Sequence, residues 1–167
     1  MADMNLLLIE DDISKEKAIC GILSEMEAKT YRVVAKHSVM SGKIELKNNV
    51  YDCVLLDMTL PLFNNDDLEH NQANMHEYDP FGGVAVLDEI DRVGLKCKVI
   101  ILTAYDVLGE GESQKNLKTL TEELKANYSN LVVDSIFFNA SSNDWSTKLF
   151  ELICHIETEQ TNEDLDN

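Results

Sequence analysis

The chain is predicted to form a single α/β domain on a doubly wound, five-stranded parallel sheet, and three observations predict it. Four apolar runs have strand length and almost no polar interruption: Asn5–Ile9, Cys53–Leu56, Val99–Leu102 and Ser135–Phe138. Such runs suit strands covered on both faces, as in a parallel sheet. Segments with helical spacing separate them, and a length of 167 residues holds one core rather than two.

In chain order, Asn5–Ile9 is the first strand. Ile13–Ala28 follows as a helix, with Ala18, Ile19, Ile22, Leu23 and Met26 on one stripe. Tyr31–Ala35 is a weaker second strand, and Val39–Lys47 a shorter helix. Cys53–Leu56 is the third strand, and Val84, Leu87, Asp88 and Asp91 mark a helix with one apolar and one acidic face. Val99–Leu102 is the fourth strand, followed by a helix marked by Leu117, Leu120, Leu124 and Tyr128. Ser135–Phe138 is the fifth, and Trp145, Leu149, Leu152, Ile153 and Ile156 mark the last helix. Right-handed crossovers place helices on both faces of such a sheet.

Two stretches exceed this minimal plan. Phe63–Pro80 is polar and rich in Asn and Asp, and reads as a long loop after the third strand; loops of this length are usually functional or mobile. Tyr105–Ser113 is a second loose segment. From Glu159 the chain is acidic and has no apolar stripe, so it reads as a frayed tail.

The charge excludes some functions. With 31 acidic and 14 basic residues the net charge is −17, whereas a nucleic-acid backbone is bound through clustered Lys and Arg. Direct nucleic-acid binding is therefore not expected; a divalent cation or a basic protein surface suits the balance better. No apolar run approaches the roughly 20 residues that cross a bilayer, and the N-terminus lacks the basic and apolar regions of a signal peptide. The expectation is a soluble cytoplasmic protein with no membrane association. Cys20, Cys53, Cys97 and Cys154 form no CxxC pair and fall in apolar segments, so buried reduced thiols are expected.

Ligands of an open parallel sheet collect beyond the carboxyl ends of its strands. The first strand ends in Glu10, Asp11 and Asp12, the third in Asp57, the fourth in Thr103, and the fifth in Asn139, Ala140 and Ser141. Taken singly, acidic strand ends are common, because strands end at the surface; the joint pattern is what points to a site. Carboxylates converging from two strands repel, and Mg²⁺ or Mn²⁺, with their preference for oxygen ligands, relieves that repulsion. Such an ion would also neutralise an incoming phosphoryl group, leaving one carboxylate to attack phosphorus. Thr103 would then hydrogen-bond a phosphoryl oxygen.

On LLLIEDD (Leu6–Asp12), VLLDMTLP (Val54–Pro61), GG followed by VLDEI (Gly82–Ile90) and VIILTA (Val99–Ala104), the sequence resembles the receiver domain of two-component response regulators. The likeness implies a CheY-like fold with strand order 2-1-3-4-5 over residues 4–158. That domain carries extensions at about 62–80 and 105–130 and an acidic tail at 159–167. It also implies Asp57 as phosphoacceptor and Thr103 as the switch hydroxyl. Glu10, Asp11, Asp57 and the backbone carbonyl of Thr59 become the ligands of Mg²⁺ (or Mn²⁺). Asp12 stands one place beyond the acidic pair, and pairing Asp11 with Asp12 is the alternative assignment.

The sequence departs from that family after the fifth strand. Receivers carry Lys-Pro there, and the Lys pairs with the phosphoryl group; here Asn139 and Ala140 stand in those places. An amide donates a hydrogen bond but no charge, and charge-assisted bonds are roughly twice as strong. The position of the switch aromatic falls on Ile136, with Phe137 and Phe138 beside it reading as core. His70 and His76, in the first long loop, read as solvated.

The functional expectation is a stand-alone signalling module rather than an enzyme. It would take its phosphoryl group from a histidine kinase or phosphotransfer protein and act by binding a protein effector not identified by the sequence. The first alternative is a pseudo-receiver that binds or inhibits without phosphorylation. The second is a Mg²⁺-dependent phosphohydrolase, weakened because aspartyl-phosphate phosphatases carry a second Asp where Thr59 stands.

Overall fold

A computed structural model describes residues 4–26, 30–64 and 78–166. The chain runs β1 (Met4–Ile9), α1 (Ile13–Ser24), β2 (Tyr31–Lys36), α2 (Val39–Asn48), β3 (Cys53–Leu56), β4 (Leu60–Pro61) and β5 (Tyr78–Asp79). It continues α3 (Gly82–Val93), β6 (Lys98–Thr103), β7 (Val107–Leu108), a 3-10 turn at Gly111–Ser113, β8 (Lys115–Asn116), α4 (Leu117–Asn127), β9 (Val132–Phe137) and α5 (Asp144–Leu165). The main sheet has the order β2-β1-β3-β6-β9 with every pairing parallel. Renumbered without the two-residue strands, this is the expected 2-1-3-4-5.

Side chains alternate across a strand, so each continuous apolar run serves two cores. Leu7, Ile9, Val54, Leu56, Val99 and Ile101 pack on the helices α2, α3 and α4 through Leu46, Val86, Leu87, Ile90 and Leu120. Leu6, Leu8, Cys53, Leu55, Ile100 and Leu102 face α1 and α5, against Ile19, Leu23, Leu149, Ile153 and Ile156. β2 looked weaker because it is an edge strand whose alternate residues are exposed.

Several boundaries differ from expectation. α5 continues to Leu165, so residues 159–165 are helical rather than a frayed tail. The Thr158 and Thr161 hydroxyls donate to the carbonyls of Cys154 and Glu157 within that helix, and Lys98 lies 3.7 Å from Glu159. α1 ends at Ser24 with Glu25 as its C-cap, short of the expected end at Ala28; residues 27 and 28 lie outside the described residues. The segment after β6 is not merely loose: β7 and β8 pair antiparallel around the 3-10 turn. The long loop is closed at its base by β4 pairing with β5, while residues 65–77, including His70 and His76, lie outside the described residues. All four cysteines are free thiols, but only Cys53 and Cys97 are buried; Cys20 is half-buried and Cys154 is exposed on α5.

Candidate functional site

The sheet brings the ends of β1, β3 and β6 to one level. β1 pairs with β3 as Ile9 opposite Leu56, and β3 with β6 as Leu56 opposite Ile101. Asp57, the first residue past β3, extends the ladder by donating its N–H to the Ile9 carbonyl at 3.0 Å, and Glu10 donates to Lys36 at 2.9 Å. β1 is flanked by strands reached in opposite directions along the chain, so these ends open on a topological switch point. Ligand oxygens of Glu10, Asp11 and Asp57 all lie within 4.8 Å of one another.

The three carboxylates sit in different surroundings. Glu10 is buried, accepts the Asp12 N–H on Oε1 at 2.9 Å, and presents Oε2 to the Lys15 ammonium. Asp11 is half-buried and accepts the Tyr78 hydroxyl at 2.6 Å. Asp57 is 5% exposed; Oδ2 is 3.3 Å from Lys15 Nζ, whereas Oδ1 is buried without a hydrogen-bond partner among the described residues. Burial pushes the carboxyls of both Asp57 and Glu10 above their usual range, and Lys15 opposes the shift.

Asp12 does different work from the neighbouring pair. Exposed and extended, it caps α1: its Oδ1 accepts the N–H of Ser14 at 2.8 Å and of Lys15 at 3.1 Å. It is absent from the carboxylate cluster, which among the described residues groups Glu10, Asp11 and Asp57. Thr59 lies two residues past Asp57, and its hydroxyl donates to the Pro80 carbonyl at 3.3 Å. Thr103 closes β6 fully buried; its Oγ1 accepts the Tyr105 N–H at 3.2 Å, which leaves the hydroxyl proton available to a phosphoryl oxygen.

Asn139 does not face the carboxylates as a substitute donor. It is exposed, and its Oδ1 closes a turn by accepting the Ser141 N–H at 3.0 Å. Of the aromatics before it, Phe138 is core as expected, with its ring 4.8 Å from that of Trp145, and Ile136 is buried too. Phe137 is not core: it is 45% exposed. β9 ends at Phe137, so successive side chains there point to opposite sides.

Sequence reasoning missed Lys15. It is 3% exposed, its Nζ donates to the Leu102 carbonyl at 2.6 Å, and the same ammonium contacts Glu10 and Asp57 and lies 5.9 Å from the Phe138 ring centroid. The signal was present: Lys15, Ile19 and Leu23 are the buried residues of α1 at a spacing of four, so its apolar stripe begins with a lysine. Helical side chains tilt toward the N-terminus, which carries the stem from the first turn back over the strand ends.

The charges fit a divalent cation. Three carboxylates against one ammonium leave two formal negative charges in the cluster, and the unpartnered Asp57 Oδ1 offers an oxygen to an ion or a phosphorus centre. Hard oxygen ligands of this kind suit Mg²⁺ or Mn²⁺.

No family model matches the chain. Among curated proteins it is 26% identical to the uncharacterized protein y4jR of Sinorhizobium fredii, over 87% of this chain and 94% of that protein. It is 25% identical to the Detocs response regulatory protein DtcB of Enterobacter cloacae, over 92% of this chain and all of DtcB. Among solved structures it resembles the signal receiver domain of a LuxO repressor protein from Vibrio parahaemolyticus, with a TM-score of 0.65 at 17% identity over 99% and 98% of the two chains. It also resembles the Mn²⁺-bound form of the response regulator Rcp1, with a TM-score of 0.55 at 17% identity over 87% and 88%. The fold is that of CheY-like receiver domains.

Proposed function

We propose that this chain, which has the receiver fold of response regulators, accepts a phosphoryl group on Asp57 from a histidine kinase or phosphotransfer protein and signals by binding another protein. The observation that carries the reading is the state of Asp57: a buried carboxylate with one oxygen held beside a lysine and the other unpartnered, ringed by Glu10 and Asp11. That arrangement suits a nucleophilic carboxylate, because Oδ1 makes no hydrogen bond among the described residues.

In the transfer, an Asp57 carboxylate oxygen forms a bond to phosphorus as the phosphorus–nitrogen bond of the donor's phosphohistidine breaks and the imidazole nitrogen keeps the electron pair. A divalent cation held by Glu10, Asp11, Asp57 and the Thr59 carbonyl would supply positive charge to the phosphoryl oxygens. Thr103 donates its hydroxyl to one of those oxygens. Burial of the carboxylates excludes bulk water and strengthens each of these interactions.

For output, a groove of about 800 Å³ lies between α4, β9 and the start of α5, lined in part by Val107, Thr121, Phe137 and Lys148. It adjoins β6, whose end carries Thr103, so a change at Asp57 has a short route to it. The Mn²⁺-bound Rcp1 neighbour and the DtcB relative agree with this reading.

The test is incubation with acetyl phosphate and Mg²⁺, read by intact mass. A stoichiometric adduct that is lost in Asp57→Ala is expected. A protein that stays unmodified at saturating acetyl phosphate would instead be a phosphorylation-independent binding module, and steady phosphate release from simple monoesters would make it a hydrolase.

A further inference from the structure

The position that should supply a cation after the fifth strand holds Asn139, whose side chain is turned into its own loop. The site is nevertheless not without a cation. We propose that Lys15, entering from α1, is the residue that holds the phosphoryl group on Asp57, taking over the charge that the end of β9 lacks.

Position and surroundings carry the inference. Lys15 Nζ is 3.3 Å from the acceptor carboxylate and reaches Glu10 and the Leu102 carbonyl, so three elements fix it beside the reacting atoms. Lysine is rarely this buried unless paired, and here both pairing groups belong to the site. The end of β9 meets this cation with an aromatic: Phe138 is buried and its ring lies 5.9 Å from Nζ, within range of a cation–π attraction. An aromatic one residue past β9 and a lysine on α1 thus form one complementary pair.

When Asp57 attacks acetyl phosphate, its oxygen forms the bond to phosphorus and the bridging P–O bond breaks, with acetate leaving as the anion. No proton is needed. Charge accumulates on the phosphoryl oxygens next to Asp57, within reach of the ammonium already held 3.3 Å from its carboxylate. In the unphosphorylated protein the same ammonium sits among the metal-ligating carboxylates and opposes cation binding by Coulomb repulsion.

This assignment rests on the proposed phosphoryl acceptance, and one experiment separates the two. Adduct formation from acetyl phosphate is followed by intact mass on wild type, Lys15→Met and Lys15→Arg. Mg²⁺ binding is titrated by the fluorescence of Trp145, the only tryptophan, whose ring packs on Phe138. Lys15→Met is expected to slow adduct formation by roughly a hundredfold, the scale for losing one transition-state donor. It is also expected to bind Mg²⁺ as tightly as wild type or more tightly, while Lys15→Arg keeps most of the rate. Equal rates in wild type and Lys15→Met overturn the assignment to Lys15 alone. So does a parallel loss of rate and Mg²⁺ binding, which marks a structural role. A wild type that forms no adduct overturns both readings. Should the Met variant fail to fold, Lys15→Gln, which keeps an N–H donor without the charge, reads the same contrast.

Discussion

The Tyr78 hydroxyl donates to Asp11 Oδ2 at 2.6 Å, joining two residues 67 positions apart. Tyr78 belongs to β5, the returning end of the long loop, and its pairing with β4 brings that end back to the acidic site. The insertion is therefore attached to the site at its base. The hydrogen bond to Asp11, with burial behind it, in turn holds the tyrosine proton on, moving that group up to about 12.

A hydrogen bond to a ligating carboxylate orients it, and losing such a partner commonly costs 10–100-fold in metal affinity. Because Tyr78 is half exposed, the lower end applies. Tyr78→Phe is expected to weaken Mg²⁺ binding by roughly tenfold without altering the fold, as measured by calorimetry. Unchanged affinity would show that the hydroxyl does not orient Asp11.

The site also predicts how stability depends on pH. A carboxyl whose pKa is higher in the folded chain holds its proton more tightly there, so the folded state is favoured at low pH and loses stability as pH rises. Burial raises both Glu10 and Asp57, with Glu10 moving from 4.5 to about 8. The loss falls in that window. Metal-free protein is expected to melt at a higher temperature near about pH 5 than near about pH 8, and Mg²⁺ should narrow the difference by neutralising the ionised cluster. Glu45 acts in the opposite sense, since the Tyr51 hydroxyl holds it below its usual range, but only below 4.5. Thermal melts showing stability rising through this window in chelator would contradict the account.

Two glycines should respond to the same substitution with opposite signs. Both are helical, and replacing helical Gly with Ala ordinarily stabilises by about 0.5–1 kcal/mol. At Gly21 an added Cβ meets nothing within 4 Å, so Gly21→Ala is expected to gain that amount. At Gly83 it would lie 2.6 Å from the Asp57 carbonyl oxygen, and the Gly83 N–H already donates to Met58 at 2.9 Å. Forcing α3 away from the acceptor segment is expected to cost roughly 1–3 kcal/mol and to lower phosphorylation by displacing Asp57. Urea denaturation of the two variants checks the contrast; equal effects would mean that α3 is not packed against the Asp57 segment as tightly as its geometry indicates.

Much of this was legible in the sequence because it is local. Continuous apolar runs encode strands buried on both faces, and Asp57 directly after such a run marks a strand end whatever the rest of the chain does. The cap at Asp12 is local too, yet the sequence alone does not separate it from its two acidic neighbours, because their roles depend on the direction each backbone step takes. The length of α5 is not legible because its last turns bury little and so carry no apolar stripe.

By itself, then, the sequence determined the order of elements, the two-sided core and the aspartate that closes the third strand, since period and run length are properties of neighbouring residues. Only the tertiary structure decided which cation lies beside that aspartate. Lys15 and Leu102 are 87 positions apart, and Lys15 becomes a partner of Asp57 only when folding brings the first turn of α1 within reach of the ends of β3 and β6. Burial then removes the water that would otherwise solvate its charge, leaving the carboxylates and one carbonyl as its partners.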